Sequence, residues 1–406
     1  MPNGANSRTI AVGTFGLGAQ GAWALDLTNL SDLASTQASA SSHLLWELTD
    51  SDAPQIGYIP NAPAIFAAAN GDDSQWVAVF GNGYNASKSD GRADTTGEGA
   101  LLVVDLLSGD LIRTLASKQK AANDPTGSNR PNSLTEPVVA DADLDGVGDY
   151  LYSGDLFGNV WKVDLSGGSI DDWAFSPTTS GGDPKPLFKA VSREGTAQPI
   201  TVRPSVAHHP ENGLLVLVGT GKYVETTDTS VTGQATQSVY ALWDKPNRSA
   251  DITRSTLLEQ TLVKEITNVT PNQRETSKNA IDWSQHDGWY LDLYYNGKNS
   301  GERINSRILV TGTIAAFTSK IPSDDVCAGG GTGWYMEVDI YSGSNNGLVD
   351  HSMKLDRLPS DPVFNYYIKD DGDAETKTTI LVDGGTPKST PPKTVKTGLA
   401  SWQMLY

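Results

Sequence analysis

Along this chain, short runs in which apolar and polar side chains alternate are separated by glycines. Alternation with a period of two and glycine punctuation predicts antiparallel β-strands. One unit recurs, in which glycines or small residues lead into a strand of apolar and aromatic residues that ends in Asp. The five copies are Gly21–Asp26, Gly99–Asp105, Gly158–Asp164, Ser238–Asp244 and Gly333–Asp339.

Companion strands precede several copies of this unit. They are predicted at Thr9–Gly13, Trp76–Phe80, Leu214–Val218 and Ile308–Val310. Repetition of one hairpin-rich unit along a chain is typical of a β-propeller, in which each blade covers the apolar face of the next. We therefore predict an all-β fold, a β-propeller that is seven-bladed or incomplete.

The copies are spaced irregularly and lie further apart than the roughly 40–50 residues of a plain blade. Long loop insertions explain this, and they are predicted at Asn85–Glu98, Ala122–Asn132, Thr226–Thr236 and residues 385–394. Ile252–Ile266 suits an amphipathic helix or a strand about equally. No clean domain boundary is visible, so we predict a single propeller domain over residues 1–406.

The beginning of the chain falls within the repeat pattern, because the first strand starts at Thr9. Residues 1–6 are polar and do not resemble a signal peptide. Propellers commonly close by pairing strands from both ends of the chain, and a closed ring needs about 4–8 blades. We expect this sequence to be the C-terminal part of a longer protein whose N-terminal module is absent from it.

Charge and composition restrict the classes of partner that this chain can bind. The net charge of −18 disfavours nucleic acid and anionic membranes, which would repel the chain. No apolar stretch approaches the ~20 residues of a membrane-spanning helix. Cys327 is the single cysteine, so an intrachain disulfide is excluded and the partner of this thiol, if it has one, is left open.

The strongest candidate for chemistry is an acidic loop between two predicted strands. Asp141, Asp143, Asp145 and Asp149 place four carboxylates at positions 1, 3, 5 and 9, with Gly146 at the sharp turn. These side chains, together with the backbone carbonyl of Val147 at position 7, are expected to converge on one point. Hard oxygen ligands at this density suit Ca²⁺, which takes 6–8 of them. The sequence predicts one calcium site here.

The loop differs from an EF-hand, in which a bidentate Glu follows at position 12. That position is Tyr152, inside the strand-like run Tyr150–Ser153, so the loop is expected to join two strands of a blade. The alternative is a solvated acidic turn, since Asp and Gly favour turns in any case. Asp370, Asp371 and Asp373 could hold a second cation, although a solvated loop is the simpler interpretation.

Several ordered motifs resemble the C-terminal propeller of the PilY-type adhesins, which are associated with the tips of type IV pili. They are Gly13–Gly18, Ala24–Thr28, Val79–Tyr84, Val103–Asp105, Asp155–Asp164, Gly219–Tyr223, Gly288–Tyr290, Gly301–Arg303, Phe317–Ser323 and Ser401–Gln403. The last resembles a terminal Ser-Trp-Arg, with Gln403 where Arg is usual. The resemblance covers essentially the whole chain.

This resemblance implies a function. The family carries its calcium site where the acidic loop falls, which assigns the ligand role to Asp141, Asp143, Asp145, Val147 and Asp149. It implies a non-enzymatic component of a type IV pilus at the periplasm or cell surface, associated with minor pilins at the pilus tip. The resemblance further implies that the protein acts in pilus assembly, extension–retraction control, surface adhesion and twitching motility. The adhesion target, a host or an abiotic surface, is left open.

Two other classes of protein are consistent with parts of the pattern. An FG-GAP or integrin-like adhesion propeller also binds calcium in its blades, but its calcium loops normally recur from blade to blade. A quinoprotein-like dehydrogenase shares the propeller rhythm. Its cofactor pocket uses a vicinal cysteine pair, which a chain with one cysteine cannot provide.

Overall fold

The computed structural model describes residues 7–29, 41–71, 73–85, 96–246, 248–269, 271–323, 330–345, 352–368, 374–382, 388–389 and 393–394. Its elements are mainly β-strands, which confirms the predicted all-β class. Short 3-10 helices lie at Ala121–Asn123, Ile170–Asp172, Thr226–Thr229 and Arg254–Thr256. The chain forms two compact units, residues 1–187 and 188–406. Four features named above, Cys327, Asp370–Asp371, Asp373 and Ser401–Gln403, lie outside the described residues.

The first unit contains three antiparallel sheets. Its strands are β1 (Ile10–Thr14), β2 (Ala22–Asp26), β3 (Leu44–Leu48), β4 (Ala64–Asn70), β5 (Asp73–Gly81), β6 (Ala100–Asp105), β7 (Leu111–Ala116), β8 (Val138–Ala140), β9 (Tyr150–Gly154), β10 (Asn159–Asp164) and β11 (Ala174–Phe175). Neighbouring strands in the chain are also neighbours in the sheets β1-β2-β3, β4-β5-β6-β7 and β8-β9-β10-β11. Each sheet is therefore a meander, the usual form of a propeller blade.

The middle sheet of this unit is covered on both faces. Side chains of β6 alternate between two apolar clusters, with Leu101 and Val103 in one and Leu102 and Val104 in the other. The first cluster includes residues of the third sheet, such as Trp161, and the second includes residues of the first sheet. Because β6 is buried on both faces, its sequence is a continuous run of apolar residues. Each sheet thus covers the apolar face of its neighbour, as the repeat pattern predicts.

The second unit contains four sheets. Its strands are β12 (Phe188–Lys189), β13 (Ser205–His208), β14 (Leu214–Gly219), β15 (Ser238–Asp244), β16 (Leu258–Gln260), β17 (Leu262–Ile266), β18 (Gln273–Thr276), β19 (Gly288–Asp292), β20 (Leu309–Thr311), β21 (Ile314–Pro322), β22 (Gly331–Asp339), β23 (Ser352–Leu355), β24 (Pro359–Ile368), β25 (Ala374–Val382), β26 (Lys388–Ser389) and β27 (Lys393–Thr394). The sheet orders are β13-β14-β15-β19-β16, β17-β18, β20-β21-β22-β23 and β24-β25-β26, with β27 beside β25.

The five predicted copies of the repeat unit correspond to β2, β6, β10, β15 and β22, each of which ends in Asp. The structure explains this Asp. Asp105 accepts backbone hydrogen bonds from Leu107 and Ser108, and Asp339 accepts them from Tyr341 and Ser342. The carboxylate accepts hydrogen bonds from backbone N–H groups just after the strand, so it ends the strand and starts the turn.

Two details of the sequence analysis are settled by the strand order. The companion strand predicted at Ile308–Val310 corresponds to β20, and β21, which was not predicted, lies between β20 and β22 in the sheet. The ambiguous segment Ile252–Ile266 contains a short 3-10 helix followed by β16 and β17, so the strand alternative is correct. Among the described residues, no helix is long and apolar enough to cross a membrane.

Candidate metal site

The acidic loop of residues 141–149 connects β8 to β9 in the third sheet of the first unit. These strands pair antiparallel, with Ala140 opposite Tyr150. The backbone N–H of Asp149 donates to the carbonyl of Ala140 at 2.9 Å, which closes the loop at its base. The loop therefore joins two strands of one blade, as the sequence predicts.

Three of the four predicted carboxylates come together. Asp141, Asp143 and Asp149 each offer one carboxylate oxygen, and these oxygens all lie within 4.8 Å of one another. Asp141 and Asp149 are half-buried, whereas Asp143 is exposed. Side chains from positions 1, 3 and 9 thus face a common point at the mouth of the loop.

This group of side-chain oxygens does not include Asp145, and it does not bear on the backbone carbonyl of Val147. The N–H of Asp145 donates to Oδ1 of Asp141 at 3.1 Å and to Oδ1 of Asp143 at 3.2 Å. Oδ1 of Asp145 accepts the N–H of Val147 at 2.7 Å. These bonds hold both residues in the loop, while the assignment of Asp145 and of the Val147 carbonyl as ligands stays a prediction.

Backbone amides also orient Asp141 and Asp149. Gly146 N–H donates to Oδ2 of Asp141 at 2.8 Å, whereas Ala142 N–H at 2.6 Å and Asp143 N–H at 3.4 Å both donate to Oδ2 of Asp149. A carboxylate offers about four lone-pair sites over its two oxygens. Because Asp141 and Asp149 each accept two amides, both carboxylates keep acceptor capacity for a cation.

The path of the loop depends on unusual backbone conformations. Gly146 has φ +91°, in the region that favours glycine, and Leu144 has φ +65° although it is not a glycine. Gly148 is required for a different reason, since a Cβ there would lie 2.5 Å from Cγ2 of Val139. Two glycines and one left-handed Leu therefore shape the turn that brings the carboxylates together.

The surroundings of Asp149 raise the pKa of its carboxyl above the ordinary value. Burial raises the pKa of its carboxyl, and the charges of Asp143 and Asp141 raise it further. A cation among these groups would offset the repulsion, and oxygen donors of this kind match a hard divalent ion such as Ca²⁺. The donor set and its geometry fit such an ion.

Asp155 is a buried residue whose role the sequence analysis did not anticipate. It follows β9, and its side chain accepts five hydrogen bonds. Oδ2 accepts the side chains of Asn132, Asn159 and Trp161 at 2.8–3.0 Å, and Oδ1 accepts the backbone N–H groups of Phe157 and Asn159. These bonds fix the turn between β9 and β10, which lies at the opposite end of this sheet from the β8–β9 acidic loop.

A second motif acquires a structural role in the second unit. Glu302 and Arg303 are both buried. Glu302 accepts Nη1 of Arg274 at 2.8 Å, whereas Arg303 donates to the carbonyls of Lys222, Asp228 and Ser230. Neighbouring residues of opposite charge therefore serve different partners, and Arg303 holds the 222–230 loop. From the sequence, Glu302 and Arg303 were identified only as part of the Gly301–Arg303 motif, without a structural role.

An aromatic cluster surrounds His209 in the same unit. The imidazole ring stacks on Trp243 with centroids 3.9 Å apart and meets Trp283 edge-on at 4.3 Å. His209 is 5 % exposed, and burial lowers its pKa to about 4, with the charge of Lys245 acting in the same direction. It is therefore a neutral packing residue at pH 7.

Sheets that cover one another and an acidic inter-strand loop define the class of protein, a β-propeller with a candidate cation site. A sequence model of the PilY1 beta-propeller domain matches residues 3–272. The chain belongs to this family, which confirms the resemblance stated above.

Similar proteins are consistent with this assignment. The type IV pilus biogenesis factor PilY1 of Pseudomonas aeruginosa is 32 % identical over 370 residues, which cover 84 % of this chain and 30 % of that protein. A PilY1 homolog of Xylella fastidiosa is 32 % identical over 342 residues, covering 83 % of this chain and 22 % of that protein. The chain thus spans less than a third of the length of these relatives.

The fold itself is similar to a solved structure. The crystal structure of the Pseudomonas aeruginosa PilY1 C-terminal domain superposes with a TM-score of 0.72 and 26 % sequence identity. The match covers 94 % of this chain and 80 % of that chain. The predicted propeller fold is therefore confirmed.

Proposed function

We propose that this chain is the calcium-binding propeller of a type IV pilus biogenesis factor. Ca²⁺ would be held by the carboxylates of Asp141, Asp143, Asp145 and Asp149 and by the carbonyl of Val147. The observation that carries the proposal is the convergence of three of these carboxylates within 4.8 Å in a member of the PilY1 propeller family.

The proposed role is non-enzymatic. The factor acts at the periplasm and cell surface, associates with minor pilins at the pilus tip, and contributes to pilus assembly, surface adhesion and twitching motility. The named relatives, described as type IV pilus biogenesis factors, support this role. We also propose that the propeller comprises residues 1–406 as one domain.

The proposed effect of calcium is regulatory. Without an ion, the carboxylates of the loop repel one another; burial raises the pKa of Asp149, and the charges of Asp143 and Asp141 raise it further. Ion release would therefore favour a different loop arrangement and change the surface at this end of the blade. The calcium-loaded form would favour pilus extension, and the calcium-free form would permit retraction.

A passive role for the ion is the competing function. The loop is closed at its base by the Asp149–Ala140 hydrogen bond and braced internally by amides, so an ion could simply fasten one conformation. At about 5 mM Ca²⁺ and a Kd of roughly 10⁻⁴–10⁻³ M, binding stabilises the folded state by about 1–2 kcal/mol.

Genetics in the source organism separates these functions. An allele with Asp143→Ala and Asp145→Ala should alter surface piliation or twitching at a normal protein level. An allele with Asp172→Ala, which changes an exposed Asp outside the loop, is the matched control. Normal piliation in the double mutant would leave only the passive role, and normal piliation after deletion of the gene would refute the pilus function.

A further inference from the structure

The first sheet of the first unit has one strand fewer than the sheets that repeat its pattern. In the sheets that contain β6, β10, β15 and β22, the strand that ends in Asp comes third, after two strands that are consecutive in the chain. In the first sheet, β2 ends in Asp but comes second, after β1. β1 therefore corresponds to β5, β9, β14 and β21, and no described strand of its sheet corresponds to β4, β8, β13 and β20.

The pairing register gives the same correspondence residue by residue. In the four complete sheets, the residues of the second strand that lie opposite the terminal Asp are Val77, Tyr150, Leu214 and Ile314. Each of them, and the residue two positions later, also pairs with the first strand of its sheet. In the first sheet, Asp26 lies opposite Ile10, so Ile10 and Val12 occupy the positions that a first strand covers elsewhere.

The backbone of β1 has polar groups that point toward the position of this strand. The N–H of Leu27, just after β2, donates to the carbonyl of Thr9 at 2.7 Å. Because bonded and non-bonded pairs alternate along an antiparallel ladder, Ala11 bonds to β2, whereas the N–H and C=O groups of Ile10 and Val12 point away from it. These groups have no hydrogen-bond partner among the residues that the structure describes.

The uncovered part of this edge is short. Further along the chain, the side chain of Thr14 donates to the carbonyl of Ile59 at 2.8 Å, and Gly16 forms an antiparallel bridge with Ile59. The uncovered part is therefore centred on Ile10 and Val12. A strand of three residues, the length of β8 or β20, is enough to cover it.

The neighbouring side chains indicate the chemistry of the strand that fits. Ile10 and Val12 pack against the apolar cluster that includes Trp46. In the four complete sheets, the position opposite the equivalent of Val12 is always apolar, and its residues are Ala64, Val138, Val206 and Leu309. A strand beside β1 with an apolar residue at this position extends the cluster.

The order of strands in the chain indicates where this strand comes from. In each complete sheet the first strand directly precedes the second, and the longest connection between them is the acidic loop of residues 141–149. By the same order, the strand beside β1 precedes β1 in the polypeptide. Residues 1–6 include a Pro, a Gly and two Asn, which strands disfavour. The similar pilus biogenesis factors are more than three times as long as the segment that matches them, so these relatives have further chain from which such a strand can come.

We propose that the edge of β1 at Ile10 and Val12 binds a strand of the full-length protein that directly precedes this chain. The strand runs antiparallel to β1 and places an apolar residue opposite Val12. The first sheet then has four strands, as the other sheets with an Asp-ending strand have at least four. This strand adds to the one-domain propeller proposed above, and its binding does not depend on calcium. It also covers an edge that could otherwise pair with another chain.

Hydrogen exchange at single amides, read by mass spectrometry with electron-transfer fragmentation, tests this strand. Three proteins are compared: residues 1–406, the same chain extended by the about 20 residues that precede it in the source protein, and a control with a Gly/Ser extension of equal length. Exchange at the N–H groups of Ile10 and Val12 should slow by about 100-fold or more only with the native extension. The N–H of Ala11, which bonds to β2, should exchange slowly in all three.

Equal exchange at Ile10 and Val12 with the native and the Gly/Ser extension would overturn the proposal. Slow exchange at both amides in residues 1–406 alone would assign the edge to a different occupant. That occupant would be a second copy of the chain if protection is lost on dilution, and residues 395–406 if their deletion removes it. A gene that encodes nothing before Met1 would overturn the proposal as well. None of these results bears on calcium binding, so they leave the proposed function to its own test.

Discussion

Replacing Asp155 by Asn converts one oxygen of a buried carboxylate into an NH₂ group that can only donate hydrogen bonds. All five partners of Asp155 are themselves donors, three at Oδ2 and two at Oδ1. Burial raises the pKa of Asp155, and the hydrogen bonds from Asn132 and Asn159 lower it. Only the carboxylate form accepts all five, so either orientation of the Asn amide sets donor against donor.

The less damaging orientation keeps the amide oxygen toward the three side-chain donors. It then leaves the backbone N–H groups of Phe157 and Asn159 without an acceptor. A buried donor without a partner costs about 1–3 kcal/mol, so Asp155→Asn should lower the free energy of unfolding by about 3–5 kcal/mol. Asp164→Asn is the control, because Oδ1 of Asp164 bonds only to Ser166 and an amide oxygen can replace it.

Urea unfolding followed by tryptophan fluorescence measures this change, since Trp161 donates to Asp155. With an m-value of about 3 kcal/mol/M, a loss of 3 kcal/mol lowers the midpoint by about 1 M. Hydrogen exchange at the amides of Phe157 and Asn159 gives a local readout that global unfolding does not. An Asp155→Asn midpoint equal to that of Asp164→Asn, with both amides still protected, would refute this account of the turn.

Two further predictions concern other parts of the chain. The pKa of His209 is lowered to about 4 from an ordinary 6.5, so the folded state binds this proton less readily than the unfolded state, and the free energy of unfolding falls by about 3 kcal/mol as the pH drops from 6.5 to 4. His209→Phe should remove this part of the pH dependence of the melting temperature. An unchanged pH profile in the variant would contradict the burial argument. Gly148→Ala should destabilise the first unit by about 1–3 kcal/mol in thermal unfolding, because the new Cβ would overlap Val139. Gly168→Ala is the control and should have little effect, because the space around Gly168 is open. Equal effects of the two substitutions would show that the loop adapts.

The strands could be predicted from the sequence where one physical pattern dominates. The five strands ending in Asp combine alternation, a leading small residue and a turn-forming carboxylate, so independent signals agree at β2, β6 and β10. Prediction was weaker where a strand lacks that ending. β21 was missed as the partner of β22, and residues 252–266 were ambiguous because Thr, Val and Leu suit either structure.

The candidate site shows the same division. Spacing and charge alone identified the acidic loop, and the structure brings Asp141, Asp143 and Asp149 together. The sequence could not reveal the left-handed backbone of Leu144, because nothing in a leucine signals it. Nor could it reveal that Asp155 collects five donors, since those come from residues 132 to 161 and meet only after the blade has folded.

Isothermal titration with Ca²⁺ tests the central claim most directly. The wild-type chain should bind one ion with a Kd of roughly 10⁻⁴–10⁻³ M or tighter. Asp143→Ala and Asp145→Ala should each abolish this binding without unfolding the propeller, as checked by circular dichroism, and Asp172→Ala should bind as the wild type does. Equal Ca²⁺ binding by the wild type and Asp145→Ala would contradict the assigned ligand set, and absence of binding by the wild type would contradict the calcium site altogether.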